Sequence, residues 1–241
     1  MAGPVLLLSN SRVYGRGFLE HALDMVESVL AGRRQLLFLP FANSDMDRYT
    51  RTMQDALEPL GVRVQGAHAL EDFAEGLSRA EAVFVGGGNS FRLLRALQRR
   101  GALAPLRARV LGGMPYLGAS AGANVACPTI RTTNDMPIVE VDSLAAIGLV
   151  PFQLNPHYVD AAPDSTHMGE TRAQRLEQFL EENDVPVLGL REGAWLHVAG
   201  ERAELGGMAG ARLFERGCAP VEYLPGADLS RLLRVEGRFD V

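Results

Sequence analysis

The sequence is poor in cysteine, in long apolar runs and in excess positive charge. Its 241 residues contain two cysteines, Cys127 and Cys218, which are too few for a disulfide framework and favour a reducing cytoplasm. No apolar run approaches the length of a transmembrane helix, so no membrane partner is expected. The formal net charge of −5 gives no reason to expect nucleic acid as a partner. Any anionic substrate must therefore be recognised by local cations.

Signals for export, for metal binding and for a division into domains are also missing. The stretch Met1-Ala2-Gly3-Pro4 leads into an apolar run without a basic region or a cleavage-like site, so no signal peptide is expected. No cluster of His, Cys and Asp has zinc-ligand spacing, and we expect neither a metal nor a cofactor. No linker, repeat or low-complexity segment interrupts the chain, which predicts one domain over residues 1–241.

What is present is an alternation of short apolar runs with amphipathic segments. Strands are predicted at 5–9, 35–40, 61–64, 82–85, 115–117, 143–149, 152–154 and 186–190. Helices are predicted at 18–30, 47–57, 71–78, 91–100, 103–111 and 171–182. Three short antiparallel strands follow at 195–198, 203–205 and 212–214. The pattern indicates an α/β fold with a mostly parallel central sheet, helices on both faces, and short antiparallel strands near the C-terminus.

A Gly-x-Ser-x-Gly pattern lies in the middle of the chain, at Gly118-Ala119-Ser120-Ala121-Gly122. A strand that turns sharply into a helix can hold such a serine in a strained conformation with its hydroxyl exposed. A side chain at Gly118 or Gly122 would crowd that turn. Small-residue turns also join strands to helices for packing reasons, so the pattern alone is compatible with both a catalytic and a structural role.

An activated serine needs a base, and the chain has five histidines. His157 follows the apolar segment 152–154, and a loop that leaves a strand end is where α/β sheets place functional groups. A loop histidine that caps a backbone group is the structural alternative. His167 is the reserve candidate, in base catalysis or in substrate binding. The remaining histidines are assigned structural positions: His21, His68 and His197.

The third member of a triad is a carboxylate, and Glu192 directly follows the apolar run 186–190. That strand end could place its carboxylate beside a histidine on a neighbouring strand end. Its rivals lie closer to His157 in sequence, in a polar segment typical of solvated loops: Asp160, Asp164 and Glu170. The order serine, histidine, acid differs from the serine–acid–histidine order of the α/β-hydrolases, which argues against an ordinary esterase or lipase.

A serine hydrolase also needs backbone donors for the oxyanion. The run Gly86-Gly87-Gly88-Asn89 ends the strand before the nucleophile strand, so Gly88 is one candidate donor, and the N–H group of Ala121 is the other. A dinucleotide-binding loop is disfavoured because the third glycine of that fingerprint is replaced by Phe91, and no Gly-Lys-Ser/Thr follows for a P-loop. A structural turn with Asn89 or Ser90 as helix N-cap is the alternative.

Together these segments resemble peptidase E, the α-aspartyl dipeptidase family of serine peptidases. The resemblance covers most of the chain and rests on five stretches: 85–90, 118–124, 130–138, 155–157 and 169–172. The run Thr132-Thr133-Asn134-Asp135-Met136-Pro137-Ile138 is the most discriminating, because generic hydrolases have no reason to carry it. The family's fold is related to class I glutamine amidotransferases, which carry cysteine at the elbow position that Ser120 occupies here.

The resemblance implies that Ser120 is the nucleophile, His157 the general base and Glu192 the acid. It also implies cleavage of dipeptides with an N-terminal aspartate through an acyl-enzyme. Arg131 and Arg172 both fall in family-like stretches, and a guanidinium can bind the aspartate side chain bidentately. A cation at the start of the predicted helix opposes the helix dipole, which favours a functional reason for Arg172.

Other polar residues in these stretches are candidates for the rest of the substrate pocket. The polar wall is assigned to Asn89, Thr132 and Thr133, and the partner of the substrate ammonium to Glu170 or Asp135. The expected partner is a small Asp-X peptide, and the expected assembly is a monomer or a homodimer.

Two other functions fit the same elbow. One is a cyanophycinase-like peptidase, or another aspartyl or glutamyl amide hydrolase, whose pocket accepts a longer branched polymer. The other is a non-catalytic amidotransferase-like domain that binds a small metabolite and leaves Ser120 unreactive.

Overall fold

The computed structural model describes residues 2–162, 166 and 168–241. In this part of the chain the strands are β1 (Val5–Leu8), β2 (Gln35–Leu39), β3 (Arg63–Gly66), β4 (Ala82–Val85), β5 (Tyr116–Ala119), β6 (Gln153–Pro156), β7 (Asn183–Asp184), β8 (Val187–Leu190), β9 (Ala194–Ala199), β10 (Arg202–Gly207), β11 (Ala211–Phe214), β12 (Val221–Tyr223) and β13 (Arg238–Phe239). The α-helices are α1 (Leu23–Leu30), α2 (Met46–Leu57), α3 (Phe73–Arg79), α4 (Ser90–Arg99), α5 (Leu103–Leu111), α6 (Ala121–Val125) and α7 (Arg172–Glu182).

A seven-stranded sheet with the order β10-β9-β1-β5-β4-β2-β3 forms the centre of the fold. The five strands β1 to β5 are parallel, and β9 and β10 extend this sheet as an antiparallel hairpin beside β1. A second sheet has the order β12-β11-β8-β6, in which β6 and β8 are parallel. Strands β7 and β13 form a separate antiparallel pair. The predicted α/β class with a mostly parallel central sheet is confirmed.

The central strands are apolar throughout because helices cover both faces of the sheet. Along β1, Leu7 belongs to the core that α4 and α5 cover, to which α4 contributes Leu93. Leu6 belongs to the core on the opposite face, to which α1 contributes Val26 and α2 contributes Met53. The alternation of side chains along a strand thus supplies two cores from one apolar run.

One predicted strand is absent from the structure. Residues 143–149 form an irregular loop whose only ladder contact in the described residues is an isolated bridge between Thr129 and Ala145. The Ala146 and Ile147 N–H groups donate instead to the carbonyl oxygens of Pro128 and Val125. The apolar residues that suggested a strand therefore pack as a loop over the end of α6.

Two element boundaries also differ from the prediction, in each case because of a left-handed backbone residue. The first helix was predicted from residue 18, but Leu19 has a φ of 61°, so a short 3-10 turn precedes α1. The third strand was predicted at 61–64, but Gly61 has a φ of 66° and ends the turn after α2. The strand accordingly begins at Arg63.

The carboxyl ends of β1, β4 and β5 meet those of β6 and β8 at one edge of the molecule, through a hydrogen-bonded link between Ser9, Leu190 and His157. Loops that leave such strand ends are where α/β proteins hold functional groups. As for membranes, none of the helices in the described residues combines the length and the apolar character needed to span one.

Candidate active site

Ser120 occupies the turn between β5 and α6 with φ 54° and ψ −110°, a conformation that side-chain-bearing residues rarely adopt. The turn is tight enough to require glycine on both sides. A Cβ atom on Gly118 would lie 2.5 Å from the carbonyl oxygen of Gly122, and one on Gly122 would clash with the carbonyl oxygen of Val85. The predicted strained turn is thus observed, with the serine held at the sheet edge.

His157 and Glu192 follow neighbouring parallel strands of the second sheet, β6 and β8, in which Pro156 pairs with Leu190. His157 Nε2 lies 3.1 Å from Ser120 Oγ, and His157 Nδ1 lies 2.7 Å from Glu192 Oε1. The three side chains form one hydrogen-bonded chain. This is the arrangement in which an imidazole can take the serine proton while a carboxylate holds its tautomer.

The rival carboxylates have other contacts. Asp160 accepts two hydrogen bonds from Arg191, at 2.6 and 2.9 Å, and these bonds lower the pKa of Asp160. Glu170 accepts from Gln178 Nε2 at 2.8 Å. Asp164 and the reserve base His167 lie outside the described residues.

Two buried residues at the end of β1, which the sequence had not singled out, hold the loops that carry the triad. Ser9 Oγ donates to the carbonyl oxygen of Leu190 and accepts from the His157 N–H group, both at 2.9 Å. Asn10 Oδ1 accepts from the N–H group of Gly193 at 2.8 Å, next to Glu192. The signal available in the sequence was their position directly after an apolar strand, at the same sheet edge as Ser120.

The glycine loop after β4 lies against Ser120. A Cβ atom on Gly87 would be 3.1 Å from Ser120 Cβ, and Gly88 has a φ of 133°. The Gly87 N–H group donates to the Tyr49 hydroxyl at 2.9 Å. Within the described residues, the N–H groups of Gly88 and Ala121 donate to no protein acceptor. These two groups are therefore available to an oxyanion.

The predicted polar wall is held together by its own hydrogen bonds. Asn89 is the N-cap of α4, where its Oδ1 accepts from the Arg92 N–H group at 3.0 Å, and its Nδ2 donates to the Met136 carbonyl oxygen at 2.9 Å. Asp135 Oδ2 accepts from the Ser90 N–H group at 2.7 Å and lies 3.2 Å from the Thr133 hydroxyl.

Thr132 differs from its neighbour Thr133 in being buried. Its hydroxyl donates to the Leu154 carbonyl oxygen at 2.7 Å. The Thr132 side chain therefore supports the loop from beneath, and the structure does not bring it to the substrate side.

The two candidate arginines have different surroundings. Arg131 donates to both carboxylate oxygens of Asp240, at 2.6 and 2.9 Å. Its guanidinium is therefore already paired with a carboxylate of the same chain. Arg172 begins α7 and has no hydrogen-bonded or ion-paired partner among the described residues. Partial burial, and then the neighbouring Arg175, lower the pKa of Arg172, while the field of Asp135 opposes them. Of these two candidates, Arg172 is the one whose guanidinium has no partner among the described residues, and it lies close enough to Asp135 for that carboxylate to influence its pKa.

A pocket of about 460 Å³ opens beside Ser120 and His157. Its walls come from the loop after β1, from the first turns of α2, and from Gly87-Gly88. Two arginines that the sequence had not singled out, Arg12 and Arg48, line it together with Tyr49.

Cys127 is not an alternative nucleophile. Its side chain is fully buried, and burial raises the pKa of the thiol to about 12. Among the residues that the structure describes, no group of three or more His, Cys, Asp or Glu side chains could hold a metal ion.

The fold and the hydrogen-bonded serine, histidine and glutamate define a serine hydrolase on an α/β sheet. Residues 5–206 match the model of peptidase family S51, and the chain belongs to that family.

The chain is 59% identical to a protein named peptidase E from Streptomyces coelicolor, over 98% of this chain and 97% of that protein. It is 48% identical to a Drosophila melanogaster protein named "Probable alpha-aspartyl dipeptidase", over 95% of this chain and 97% of that protein. A crystal structure of a peptidase from an acI-B1 Actinobacterium matches with a TM-score of 0.71 at 16% identity, covering 95% of this chain and 97% of that one, which shows the shared fold.

Proposed function

We propose that the protein is a serine dipeptidase that hydrolyses dipeptides with an N-terminal aspartate. The observation that carries this proposal is the hydrogen-bonded chain from Glu192 through His157 to Ser120, beside two uncommitted backbone donors. Membership of peptidase family S51 supports the reaction class, and the name of the Drosophila melanogaster relative supports aspartyl specificity.

The geometry supports a two-step acyl transfer. Ser120 Oγ attacks the carbonyl carbon of the substrate aspartate as its proton passes to His157 Nε2, and the N–H groups of Gly88 and Ala121 donate to the oxyanion. His157 then protonates the leaving nitrogen, the C–N bond breaks, and an aspartyl ester remains on Ser120. A water molecule then gives a proton to His157 and attacks the ester carbon, and His157 returns that proton to Ser120 Oγ as the ester bond breaks and aspartate is released.

The aspartate side chain is assigned to Arg172, because its guanidinium has no partner among the described residues and can bind a carboxylate bidentately. The substrate ammonium is assigned to Asp135 or Glu170, and Asn89 and Thr133 form the polar wall between them. Arg131 and Thr132 are assigned to holding this loop in place.

A panel of Asp-Leu, Glu-Leu, Asn-Leu and β-Asp-Leu tests the proposal. Asp-Leu is expected to have the highest kcat/KM, and Arg172→Gln is expected to lower that value by about 100-fold, the scale of one charge-assisted bidentate contact. Arg131→Gln is the matched control and should keep the preference for Asp-Leu over Asn-Leu. Equal turnover of Asn-Leu and Asp-Leu by the wild type would contradict aspartyl specificity.

Two further assays separate the alternative functions. Turnover of a branched aspartyl polymer in preference to Asp-Leu would indicate a cyanophycinase-like enzyme. Failure of an active-site serine reagent to label Ser120 would indicate a non-catalytic binding domain.

We further propose a cytoplasmic protein of one domain over residues 1–241. Both cysteines are free thiols, which supports a reducing compartment. The central sheet draws β1 from the start of the described chain and β9 and β10 from its second half, which supports one domain. A monomer or homodimer that binds no nucleic acid stays a prediction.

A further inference from the structure

The pocket beside Ser120 contains two cations that the proposed reaction does not use. Arg12 lies in the loop after β1, and Arg48 lies in the first turn of α2. Within the described residues, neither guanidinium donates a hydrogen bond or forms an ion pair. Asp45 is the one carboxylate among the described lining residues, and it is engaged in accepting the Arg48 N–H group at 3.0 Å as the N-cap of α2. The pocket therefore presents a net positive charge beside the nucleophile.

The pocket and the proposed aspartate-binding residues, Arg172 and Asp135, are reached from different parts of the glycine loop. Gly87 donates to Tyr49, which lines the pocket, whereas the Ser90 N–H group donates to Asp135. Gly88 lies between these two contacts. A carbonyl oxygen held by the Gly88 N–H group would thus have the Arg172 and Asp135 cluster on one side and the pocket on the other.

This placement determines which part of a dipeptide meets the two arginines. If the aspartyl residue occupies the Arg172 side, the residue that leaves must occupy the pocket. In a dipeptide that residue carries the free α-carboxylate, a group that a guanidinium fork binds well. The Arg12 side chain is held in the pocket by a cation–π contact, because its guanidinium lies over the Phe18 ring at 5.2 Å from the centroid.

We propose that Arg12 and Arg48 bind the α-carboxylate of the released residue and so restrict the enzyme to dipeptides. This inference rests on the proposed aspartyl dipeptidase function. A longer peptide or a C-terminal amide places a neutral group at this position, so it loses the charge-assisted hydrogen bonds that the dipeptide makes.

The test compares kcat/KM for Asp-Leu and for Asp-Leu-NH2, which differ only in the charge of the terminal group. The wild type is expected to prefer Asp-Leu by about tenfold or more, on the scale of a charge-assisted contact in a solvent-accessible pocket. In the double variant Arg12→Gln/Arg48→Gln the ratio of the two values is expected to fall to near one, mainly through KM. The single variants should show intermediate ratios. Added salt should lower the wild-type ratio, because exposed charges are screened.

Arg51→Gln is the matched control, since Arg51 lies on the same helix and is exposed but does not line the pocket. This variant should keep the wild-type ratio. A wild type that does not distinguish the two substrates, or a double variant that keeps the wild-type ratio, would overturn the inference while leaving the dipeptidase function intact. A wild type inactive on both substrates would overturn the dipeptidase function itself, and the inference with it.

Discussion

At the scale of single residues, Glu192 and Asp160 are two candidate carboxylates with different contacts. Glu192 meets His157 Nδ1 at 2.7 Å, whereas Asp160 is held by Arg191, which also pairs with Glu222 at 2.9 Å. A carboxylate already bound by a guanidinium stabilises an imidazolium poorly, because its charge is compensated. The choice of the triad acid therefore follows from contacts rather than from distance along the chain.

Replacing Glu192 with glutamine keeps the shape of the side chain and removes its charge. The imidazolium that forms when His157 takes the Ser120 proton then loses its partner, so kcat is expected to fall by about 100-fold or more. Asp160→Asn is the control and should affect kcat little. Steady-state kinetics on Asp-Leu measure both variants. A larger loss of kcat in Asp160→Asn than in Glu192→Gln would show that the acid is misassigned.

The three residues of the hydrogen-bonded chain could be singled out from the sequence because each lies just after an apolar strand. The roles of the two arginines could not be assigned in this way. Arg131 and Arg172 both lie in family-like stretches, and only the pairing of Arg131 with Asp240, 109 residues further along the chain, distinguishes them. Arg12 and Arg48 do not lie in any motif of the sequence. They become candidate binding residues only because the fold brings both to the same pocket.

At the scale of elements, the glycine loop after β4 is held by helix α2. The Tyr49 hydroxyl accepts the Gly87 N–H group, and the Tyr49 ring packs edge-on against Phe38 with centroids 4.9 Å apart. The neighbouring Gly88 N–H group is thereby kept in one orientation beside Ser120. Tyr49 therefore supports the proposed oxyanion site through this contact.

Tyr49→Phe tests the link between α2 and the glycine loop, because phenylalanine keeps the ring and removes the acceptor. Stability is expected to fall by about 1 kcal/mol, the usual net value of one hydrogen bond. The value of kcat should fall more than KM rises, since the oxyanion contact is made in the transition state. Denaturant unfolding and steady-state kinetics measure the two effects. A variant with a raised KM and an unchanged kcat would show that Tyr49 only lines the pocket and does not support the oxyanion contact.

The C-terminal strand β13 is held by the Arg131–Asp240 pair. The Arg131 hydrogen bond lowers the pKa of Asp240. A carboxyl group with a lowered pKa stabilises the folded state above its ordinary pKa, and this contribution is lost as the pH falls through the lowered value. Hydrogen exchange of the β7 and β13 amides should therefore show protection at neutral pH that decreases on acidification.

Arg131→Gln removes the cause of this pH dependence. The variant is expected to show weak protection of the β13 amides at neutral pH and at acidic pH alike. Arg175→Gln, which changes an arginine on α7, should behave as the wild type. Equal protection of β13 in the wild type and in Arg131→Gln would contradict the role of the pair.

At the scale of the whole molecule, the active site joins two sheets. Ser120 comes from the seven-stranded sheet, whereas His157 and Glu192 follow strands of the four-stranded sheet. Ser9 connects them, because its buried hydroxyl bonds both the Leu190 carbonyl oxygen and the His157 N–H group. The distance between nucleophile and base thus depends on how the sheets are fastened to each other.

Ser9→Ala removes this connection and leaves the His157 N–H group without its acceptor, while the Leu190 carbonyl oxygen keeps its hydrogen bond from the Tyr158 N–H group at 2.9 Å. Unfolding free energy is expected to fall by about 1–3 kcal/mol, the cost of one unsatisfied buried group, and kcat is expected to fall with it. Ser78→Ala is the control, since the Ser78 hydroxyl is exposed and donates to the nearby Glu75 carbonyl oxygen on its own helix. Denaturant unfolding measures both variants. Equal stabilities would show that the Ser9 contacts do not fasten the sheets.

The sequence predicted most strands and helices but not their distribution between sheets. An apolar run such as 187–190 indicates a buried strand, yet the run itself does not specify its partner. Strand β9 pairs with β1 across about three quarters of the chain, and β6 and β8 leave the central sheet to form their own. These choices depend on long-range contacts, such as those of Ser9, that no local pattern contains.

The nucleophile assignment is tested most directly by the turnover of Asp-Leu by Ser120→Ala, with the thermal midpoint measured on the same sample. We predict a loss of kcat of about 10⁴-fold or more, because Ser120 is the one hydroxyl in the described residues that is hydrogen-bonded to the His157 ring. The thermal midpoint should stay close to that of the wild type, since within the described residues the Ser120 hydroxyl hydrogen-bonds His157 alone. Turnover of Asp-Leu at a rate near that of the wild type would contradict the assignment of Ser120 as the nucleophile.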